Sequence, residues 1–309
     1  MKIGIQLAQA GRQAEPAAVR ASARAAEALG YDSVWVMDRL LAPVAPRVPY
    51  PASADGALPS EQATVLDPLT ALAYVAACTD RVRLGTSVLV SPWYRPVALA
   101  RSLTSIDVLS DGRLTVGLGL GWSTDEFDAL GVPQRHLAER QEELFDVFDA
   151  VWSPGPAEHH GPTVDLHPAT IGLEPVQRPR PPILLAAYTV GGMDRLARRA
   201  DGWTPAGLPV EALAPMWATV RDLAAGHGRD PDALQLVVRA NISLHDRAVD
   251  GERAAYHGSI EQVAEDLAGT EAAGAHEVVL AISGDHALDT TLAAQAALVE
   301  ALASMRVSA

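Results

Sequence analysis

Short apolar runs alternate with amphipathic helical patterns along the whole chain, and this alternation is the feature that most constrains its fold. A strand, a helix and a further strand in succession are typical of a parallel sheet. Eight such units fit into the 309 residues. Because an open sheet of this kind usually has about six strands or fewer, eight units predict a closed (β/α)8 TIM barrel, an α/β fold. No boundary is visible, so residues 1–309 are expected to form one domain.

The expected strands are short and mostly aliphatic, as suits strands that are buried on both faces. They are Ile3 to Leu7, Ser33 to Met37, Arg83 to Val90, Leu114 to Leu118, Ile183 to Ala187, Gly202 to Thr204, Leu234 to Ala240 and Glu277 to Ala281. Two segments interrupt the repeat. The proline-rich segment Arg39 to Val65 predicts an extended loop after strand 2, on the active-site side. The segment Ser153 to Pro182 predicts a small element inserted between strands 4 and 5.

Composition and charge exclude several classes of function. A formal net charge of −14 with no basic patch argues against a nucleic-acid surface. No apolar stretch approaches the roughly 20 residues of a membrane span, and the first residues do not resemble a secretion signal. Cys78 is the only cysteine, and the nine histidines show no His-x-His or His-Glu-x-x-His spacing. We therefore expect a cytoplasmic protein without a metal site.

The segment after the fourth expected strand is rich in glycine. Gly117, Gly119 and Gly121 carry no side chains, so a flat or charged ligand can approach the backbone there. We expect a valine at Gly121 to enter the space of that ligand and to lower its affinity while leaving the fold intact. A Rossmann site is not supported, because the third glycine of that fingerprint is out of register and the run does not follow the first strand.

A second glycine turn lies between the run ILLAA and a predicted helix from Gly192 to Ala200. Free N–H groups at the start of a helix bind anions, and the hydroxyls of Tyr188 and Thr189 are close in sequence. The turn is therefore a candidate phosphate site. Taken alone, a Gly-Gly pair before a helix is a common feature of loops.

Several ordered motifs resemble those of the bacterial luciferase-like flavin and deazaflavin oxidoreductases, and most closely the branch that uses coenzyme F420. The resemblance spans nearly the whole chain. It rests on Gly30 to Asp38, Pro49 to Gly56, Leu66 to Val90, Leu109 to Pro133 and Pro181 to Trp203. Such motifs are specific for the family and much less so for the substrate. They imply hydride transfer between the cofactor, F420 or alternatively FMN, and a small organic substrate.

The resemblance also implies roles for individual residues. Ser87 and Val88 match a bulge whose non-proline cis peptide supports the cofactor ring, and Asp38 matches the acidic residue beside that ring. The residues that match the segment flanking the cofactor are Gly119, Leu120, Gly121 and Trp122, and those that match the phosphate-receiving turn are Ala186, Ala187, Tyr188, Thr189, Gly191 and Gly192. Tyr50, Tyr94, Trp122 and Tyr188 are expected to form apolar walls. Family members are often homodimers, and some work with a separate reductase.

One residue departs from the family pattern. Many deazaflavin members have a histidine base directly after the second-strand aspartate, where this chain has Arg39. Arginine stays protonated at ordinary pH and cannot take a proton from an alcohol. Arg39 is therefore expected to pair with Asp38, to hold an anionic substrate, to stabilise developing negative charge, or to form a salt bridge at the rim. If Arg39 contacts the substrate, Arg39→His should change turnover more than thermal stability.

Three alternatives remain open from the sequence. The first is an FMN-dependent two-component monooxygenase on the same barrel. The second is a hydrolase or lyase barrel that uses carboxylates such as Asp38 and Glu61, and the third is a flavin-binding family member without catalysis. Oxygen consumption with reduced FMN would favour the first, and turnover by the cofactor-free protein would favour the second.

Overall fold

A computed structural model describes residues 1–51, 53 and 55–308 of the chain. Ala52 and Ala54, which belong to the expected motif Pro49 to Gly56, and the terminal Ala309 of the expected domain lie outside the described residues. The strands are β1 (Lys2–Gln6), β2 (Ser33–Val36), β3 (Arg83–Thr86), β4 (Leu89–Val90), β5 (Leu114–Gly119), β6 (Ala157–His160), β7 (Asp165–Ala169), β8 (Ile183–Leu185), β9 (Gly202–Trp203), β10 (Gln235–Leu244), β11 (His257–Gly258) and β12 (Glu277–Ile282). The helices are α1 (Pro16–Leu29), α2 (Pro68–Ala76), α3 (Pro96–Leu109), α4 (Thr124–Ala129), α5 (Leu137–Trp152), α6 (Val190–Arg199), α7 (Val210–Gly226), α8 (Ile260–Ala272) and α9 (Leu288–Ser308).

Eight parallel strands close into a barrel. They pair in the order β1, β2, β3, β5, β8, β9, β10 and β12, and β12 pairs with β1 to complete the ring. The short strands β4 and β11 add to β5 and β10 at the carboxyl end of the barrel. Each barrel strand is followed by a helix along the chain. This arrangement confirms the predicted (β/α)8 fold.

Both predicted interruptions are present. The loop between β2 and α2 contains one turn of 3-10 helix, Ser60–Ala63, and it follows the second barrel strand as expected. The segment between α5 and β8 contains β6 and β7, which form an antiparallel ribbon separate from the barrel sheet. The inserted element is therefore a two-stranded ribbon between the fourth and fifth barrel strands.

The helix starts follow simple sequence signals. Pro16, Pro68 and Pro96 each occupy the first helical position, where the missing N–H of proline costs no hydrogen bond. Asp67 caps α2, because its side chain accepts a hydrogen bond from the Thr70 N–H at 2.7 Å. Among the described helices, none combines the length and the apolar character that crossing a bilayer requires.

Trp35 fills the interior of the barrel. Its side chain on β2 is fully buried and clusters with Leu184, Val237 and Val279 from three other barrel strands. Gly85 is the register partner of Trp35 on the adjacent strand β3, and a Cβ atom at Gly85 would overlap with the Trp35 ring. The indole is also fixed at its polar edge, because Trp35 Nε1 donates to Ser33 Oγ at 2.6 Å. The barrel therefore depends on the absence of a side chain at Gly85.

We predict that Gly85→Ala lowers the free energy of unfolding by about 1–3 kcal/mol, because the added methyl group has no space beside the buried indole. Gly172→Ala is the matched control, since no atom lies within 4 Å of the corresponding Cβ position. Thermal and urea unfolding of the two variants measure the difference. Equal stability of both variants would contradict the packing described for Trp35.

Candidate functional site

A cavity of about 650 Å³ opens at the carboxyl ends of the barrel strands. Its size lies in the range of small-molecule sites. All fourteen residues predicted for the site lie in its wall: Asp38, Arg39, Ser87, Val88, Gly119, Leu120, Gly121, Trp122, Ala186, Ala187, Tyr188, Thr189, Gly191 and Gly192. Because these residues follow four different strands, the closed barrel is what brings them together.

The third barrel strand is broken beside this cavity. The expected third strand, Arg83 to Val90, is divided at the bulge that the family resemblance implied, because β3 ends at Thr86 and β4 starts at Leu89. The Ser87–Val88 peptide between them is cis, as the family resemblance implied. The Ser87 N–H donates to the Val36 carbonyl at 2.7 Å, so the bulge remains attached to β2.

The glycines of β5 face this bulge. A Cβ at Gly117 would overlap with the Thr86 carbonyl, and a Cβ at Gly119 would lie 2.7 Å from Val88 Cγ2. One step further, a Cβ at Gly121 would lie 2.5 Å from Val90 Cγ1. The three glycines therefore leave space for three alternate residues of the interrupted third strand, Thr86, Val88 and Val90.

This geometry corrects the expectation for Gly121. The sequence suggested that a valine there would enter the space of a ligand, but the side chain would meet Val90 and Phe127 instead. Gly121 also has a φ of +77°, a backbone conformation that valine rarely adopts. Gly121→Val would therefore disturb the fold itself, and it is not a clean test of ligand binding.

Asp38 carries a raised pKa. Burial raises the pKa of its carboxyl to about 6, although hydrogen bonds from the Val90 N–H at 3.0 Å and the Tyr94 hydroxyl at 2.9 Å act in the opposite direction. The nearby carboxylates of Asp67 and Glu126 also raise it. Tyr94 was expected to form a wall of the cavity but is absent from its lining, and its hydroxyl binds Asp38 instead. Asp38 can thus hold or release a proton near neutral pH.

Arg39 pairs with Glu126 and not with Asp38. Its Nη1 lies 2.7 Å from Glu126 Oε2, and both side chains are almost fully buried. Its Nη2 donates to Gln62 Oε1 at 3.1 Å, and the guanidinium lies 5.2 Å from the centre of the Trp122 ring. The expected pairing with Asp38 is therefore wrong, and a salt bridge exists but is buried rather than at the rim. Sequence reasoning missed Glu126, although it stands in the acidic start of α4.

The extended loop after β2 is held against α4. Glu126 Oε1 accepts hydrogen bonds from the Leu40 and Leu41 N–H groups, and Arg47 forms an ion pair with Asp125 at 2.9 Å. From the same loop, Tyr50 packs edge-on against Trp122, with ring centres 5.5 Å apart. The loop thus supplies part of the cavity wall, as its position in the sequence predicted.

The far end of the cavity is formed by the start of α6. This helix begins at Val190, two residues before the predicted Gly192, and Thr189 caps it by accepting from the Gly192 N–H at 3.1 Å. The Tyr188 hydroxyl donates to the Ala206 carbonyl and is not free for a phosphate, whereas Thr189 only accepts in its cap and keeps its hydroxyl donor. Among the described residues, the Val190 and Gly191 N–H groups have no hydrogen-bond partner. They remain available to an anion.

Several polar residues of the cavity were missed by sequence reasoning. They are Gln62, Gln141, Arg195, Arg239 and Asn241. The signal for the last two was present, because Arg239 and Asn241 alternate with apolar residues in the run QLVVRANISL. The predicted strand ended at Ala240, whereas β10 continues to Leu244 and carries Asn241 into the cavity wall.

Two further sets of candidate catalytic or metal-binding residues lie outside the cavity. Glu61, offered with Asp38 for a hydrolase, is outside the lining of this cavity and accepts from the Gly284 N–H at 3.0 Å. His160, Asp165 and His167 bring their ligand atoms together on the exposed inserted ribbon. In the described part of the chain, neither group contributes to the cavity.

We predict that Asp38→Asn stabilises the protein at pH 7 by about 1–2 kcal/mol, because burial of the ionised carboxylate is unfavourable. A raised pKa means that the folded wild type binds the proton more tightly than the unfolded chain. The contribution of Asp38 protonation to the stability of the wild type is fully present below about pH 3.8. It is lost as the pH rises through about 6. Thermal unfolding of both proteins between pH 4.5 and 8 measures this. Tyr94→Phe should move this loss of stability to higher pH, because the Tyr94 hydrogen bond lowers the pKa of Asp38. If the difference in stability between wild type and Asp38→Asn did not change with pH, the raised pKa of Asp38 would be contradicted.

We predict that Arg39→Met lowers the free energy of unfolding by about 3–5 kcal/mol, because Glu126 would remain buried without its cation. This replaces the expectation that Arg39 variants mainly affect turnover. Glu126→Gln in the same chain should restore part of the loss. Arg178→Met, which removes an exposed pair with Glu174, should change stability by at most about 0.5 kcal/mol. An Arg39→Met variant as stable as Arg178→Met would contradict the buried pair.

The comparisons with known proteins agree with this geometry. The chain matches the luciferase-like monooxygenase family over residues 1–303. An uncharacterized protein of Mycobacterium tuberculosis is 34% identical over 246 residues, which cover 77% of this chain and 84% of that protein. The oxygenase component of a flavin-dependent trigonelline monooxygenase from Acinetobacter baylyi is 32% identical over 123 residues, covering 39% of this chain and 34% of that protein.

Solved structures share the fold. Monooxygenase RslO1 from Streptomyces bottropensis superposes with a TM-score of 0.80 at 23% identity, covering 99% of this chain and 100% of that one. An F420-dependent secondary alcohol dehydrogenase superposes with a TM-score of 0.78 at 17% identity, covering 97% and 98%. At these identities the two structures support the fold alone, whereas the family match extends over almost the whole sequence. The chain therefore belongs to the luciferase-like monooxygenase family.

Proposed function

We propose that the protein is an oxidoreductase that uses coenzyme F420 to reduce a small organic substrate. The observation that carries this proposal is the lining of the cavity, which combines apolar and aromatic residues with free backbone donors at the start of α6. A cofactor with a flat ring and a phosphate needs both features. Membership of the luciferase-like family supports a flavin-type cofactor, and the family contains enzymes of both flavin and deazaflavin type.

The residues present fit such a cofactor. The Ser87–Val88 bulge and the backbone from Gly119 to Trp122 form the wall on which a flat ring would rest. At the start of α6, a Cβ at Gly191 would meet no atom within 4 Å, so the backbone is accessible to a phosphate. Arg195 lies one turn further along α6 and also lines the cavity, which adds positive charge at this end.

Among its described residues, the cavity offers one carboxyl for proton transfer and lacks the histidine base of many deazaflavin enzymes. The bound deazaflavin would supply the hydride. Arg39 is paired with Glu126 and cannot act as a base, and no histidine lines the cavity in the described part of the chain. Asp38 is the titratable carboxyl of the wall, and the Tyr94 hydroxyl holds it in place. Asp38 would release the proton that balances the hydride when a polarised double bond is reduced.

A second candidate is an FMN-dependent two-component monooxygenase. It is favoured by the sequence match to a flavin-dependent enzyme whose name describes it as an oxygenase component. Such a protein would receive reduced FMN from a separate reductase, and the F420 enzyme would depend on another reaction to supply reduced F420. In both cases we propose a cytoplasmic homodimer built from one domain per chain, as in many family members.

Titration of the purified protein with F420 and with FMN, each oxidised and reduced, distinguishes these candidates. Cofactor fluorescence reports binding, and an oxygen electrode reports oxygen consumption with reduced FMN. The proposal expects tighter binding of F420 and no oxygen consumption beyond that of free reduced FMN. Preference for reduced FMN with oxygen uptake would support the monooxygenase, and binding of neither cofactor would refute both.

We predict that Arg195→Met weakens the binding of the phosphate-bearing cofactor about tenfold, because the variant loses a cation beside the start of α6. Binding of the phosphate-free analogue, riboflavin for FMN or the deazaflavin chromophore without its tail for F420, should not change. Arg198→Met is the matched control, because Arg198 also binds Glu142 but does not line the cavity. The phosphate site would be contradicted if Arg195→Met weakened the binding of the phosphate-free analogue equally. It would also be contradicted if Arg198→Met weakened cofactor binding as much as Arg195→Met.

A further inference from the structure

Arg239 lies in the wall of the cavity on β10, the seventh strand of the barrel. Its Nε donates to Asn241 Oδ1 at 2.9 Å, and its Nη1 donates to the Ser87 carbonyl at 3.2 Å. Its Nη2 donates to the Gln6 side-chain oxygen. The guanidinium is therefore fixed by three groups from three different strands or strand ends. An arginine held in this way is rigid before any ligand arrives.

None of these three acceptors carries a charge. The other two arginines of the cavity wall have carboxylate partners, Glu126 for Arg39 and Glu142 for Arg195. For Arg239, no carboxylate of the described residues lies within 4.0 Å. Burial lowers the pKa of the Arg239 guanidinium. The side chains that raise this pKa are Tyr50 and Tyr188, which are phenols and not carboxylates. A half-buried cation without a counter-ion is costly, so an anion in the cavity would stabilise it.

The donors of Arg239 are also incompletely used. A guanidinium has five N–H groups, and three of those on Arg239 have partners among the described residues. One N–H on Nη1 and one on Nη2 remain. A pair of N–H groups on the two terminal nitrogens matches the two oxygens of a carboxylate.

We propose that Arg239 binds the carboxylate of the substrate, so that the protein acts on a small organic carboxylate. This inference rests on the proposed function, because it assigns the substrate class of the same cavity. The cofactor phosphate already has donors at the start of α6, which leaves Arg239 for a second anion. A substrate carboxylate balances the charge whichever redox state the cofactor has. Tyr50 and Tyr188 border the same region and give the body of the substrate an apolar surface.

Benzoate and benzamide are suitable probes, because they have nearly the same shape and differ in charge. Calorimetric titrations are done with the cofactor-free protein and again with a saturating amount of whichever cofactor binds. With the cofactor bound, wild type should bind benzoate at least tenfold more tightly than benzamide. Arg239→Gln should abolish this preference, because it should weaken the binding of benzoate far more than the binding of benzamide. Arg239→Lys, which keeps the charge but not the paired donors, should retain part of it.

Three results would overturn the inference. In the first, wild type binds benzoate and benzamide equally or binds neither. In the second, Arg239→Gln keeps the preference for benzoate. In the third, Arg195→Met loses this preference while Arg239→Gln retains it. The last result would assign benzoate to the phosphate end. Unfolding curves and benzamide binding confirm that the variants are folded.

The two proposals fail separately. Cofactor binding without a preference for benzoate would leave the proposed function intact and reject the carboxylate site. A preference for benzoate that depends on Arg239, in a protein that binds neither cofactor, would keep the anion site and reject the proposed function.

Discussion

The fit between the interrupted third strand and the glycines of β5 is the constraint on which the cavity depends. Gly119 admits Val88, and Gly121 admits Val90 at the next position of the same face. The bulge can therefore lie close to the neighbouring strand and still expose its polar backbone groups. The Val90 N–H binds Asp38, and the Ser87 carbonyl binds Arg239. One irregular segment thus positions both an acidic and a basic group of the site.

The distribution of charge around the cavity follows from this framework. Arg39 and Glu126 neutralise each other in a buried pair that also holds the loop after β2. Asp38 is fixed by neutral donors, and Arg239 by neutral acceptors. Two of the charged groups in the wall are therefore held rigidly without a partner of opposite charge in the described structure. Groups of this kind are available to a ligand in the cavity.

The sequence was sufficient to predict the barrel and the location of the cavity. Eight aliphatic runs alternating with helices permit few other arrangements, and prolines at 16, 68 and 96 mark helix starts because their effect is local. All fourteen predicted site residues reached one cavity, since parallel strands place their carboxyl ends together.

The interactions of the site were less predictable, because they depend on packing between distant segments. Glu126 lies 87 residues from Arg39 in the chain, and no local pattern distinguishes it from the neighbouring acidic residues of α4. Arg239 lies 152 residues from its acceptor at Ser87. The glycines of β5 were interpreted as space for a ligand, although their neighbours are residues of another strand. Which atoms fill the space beside a glycine is decided by tertiary structure.

A crystal structure of the protein soaked with F420 or FMN tests the central claim most directly. The account predicts electron density for the flat ring against the Ser87–Val88 bulge and for the phosphate at the start of α6. Density for the cofactor at another surface, or a cavity that remains closed to both cofactors at saturating concentration, would contradict it.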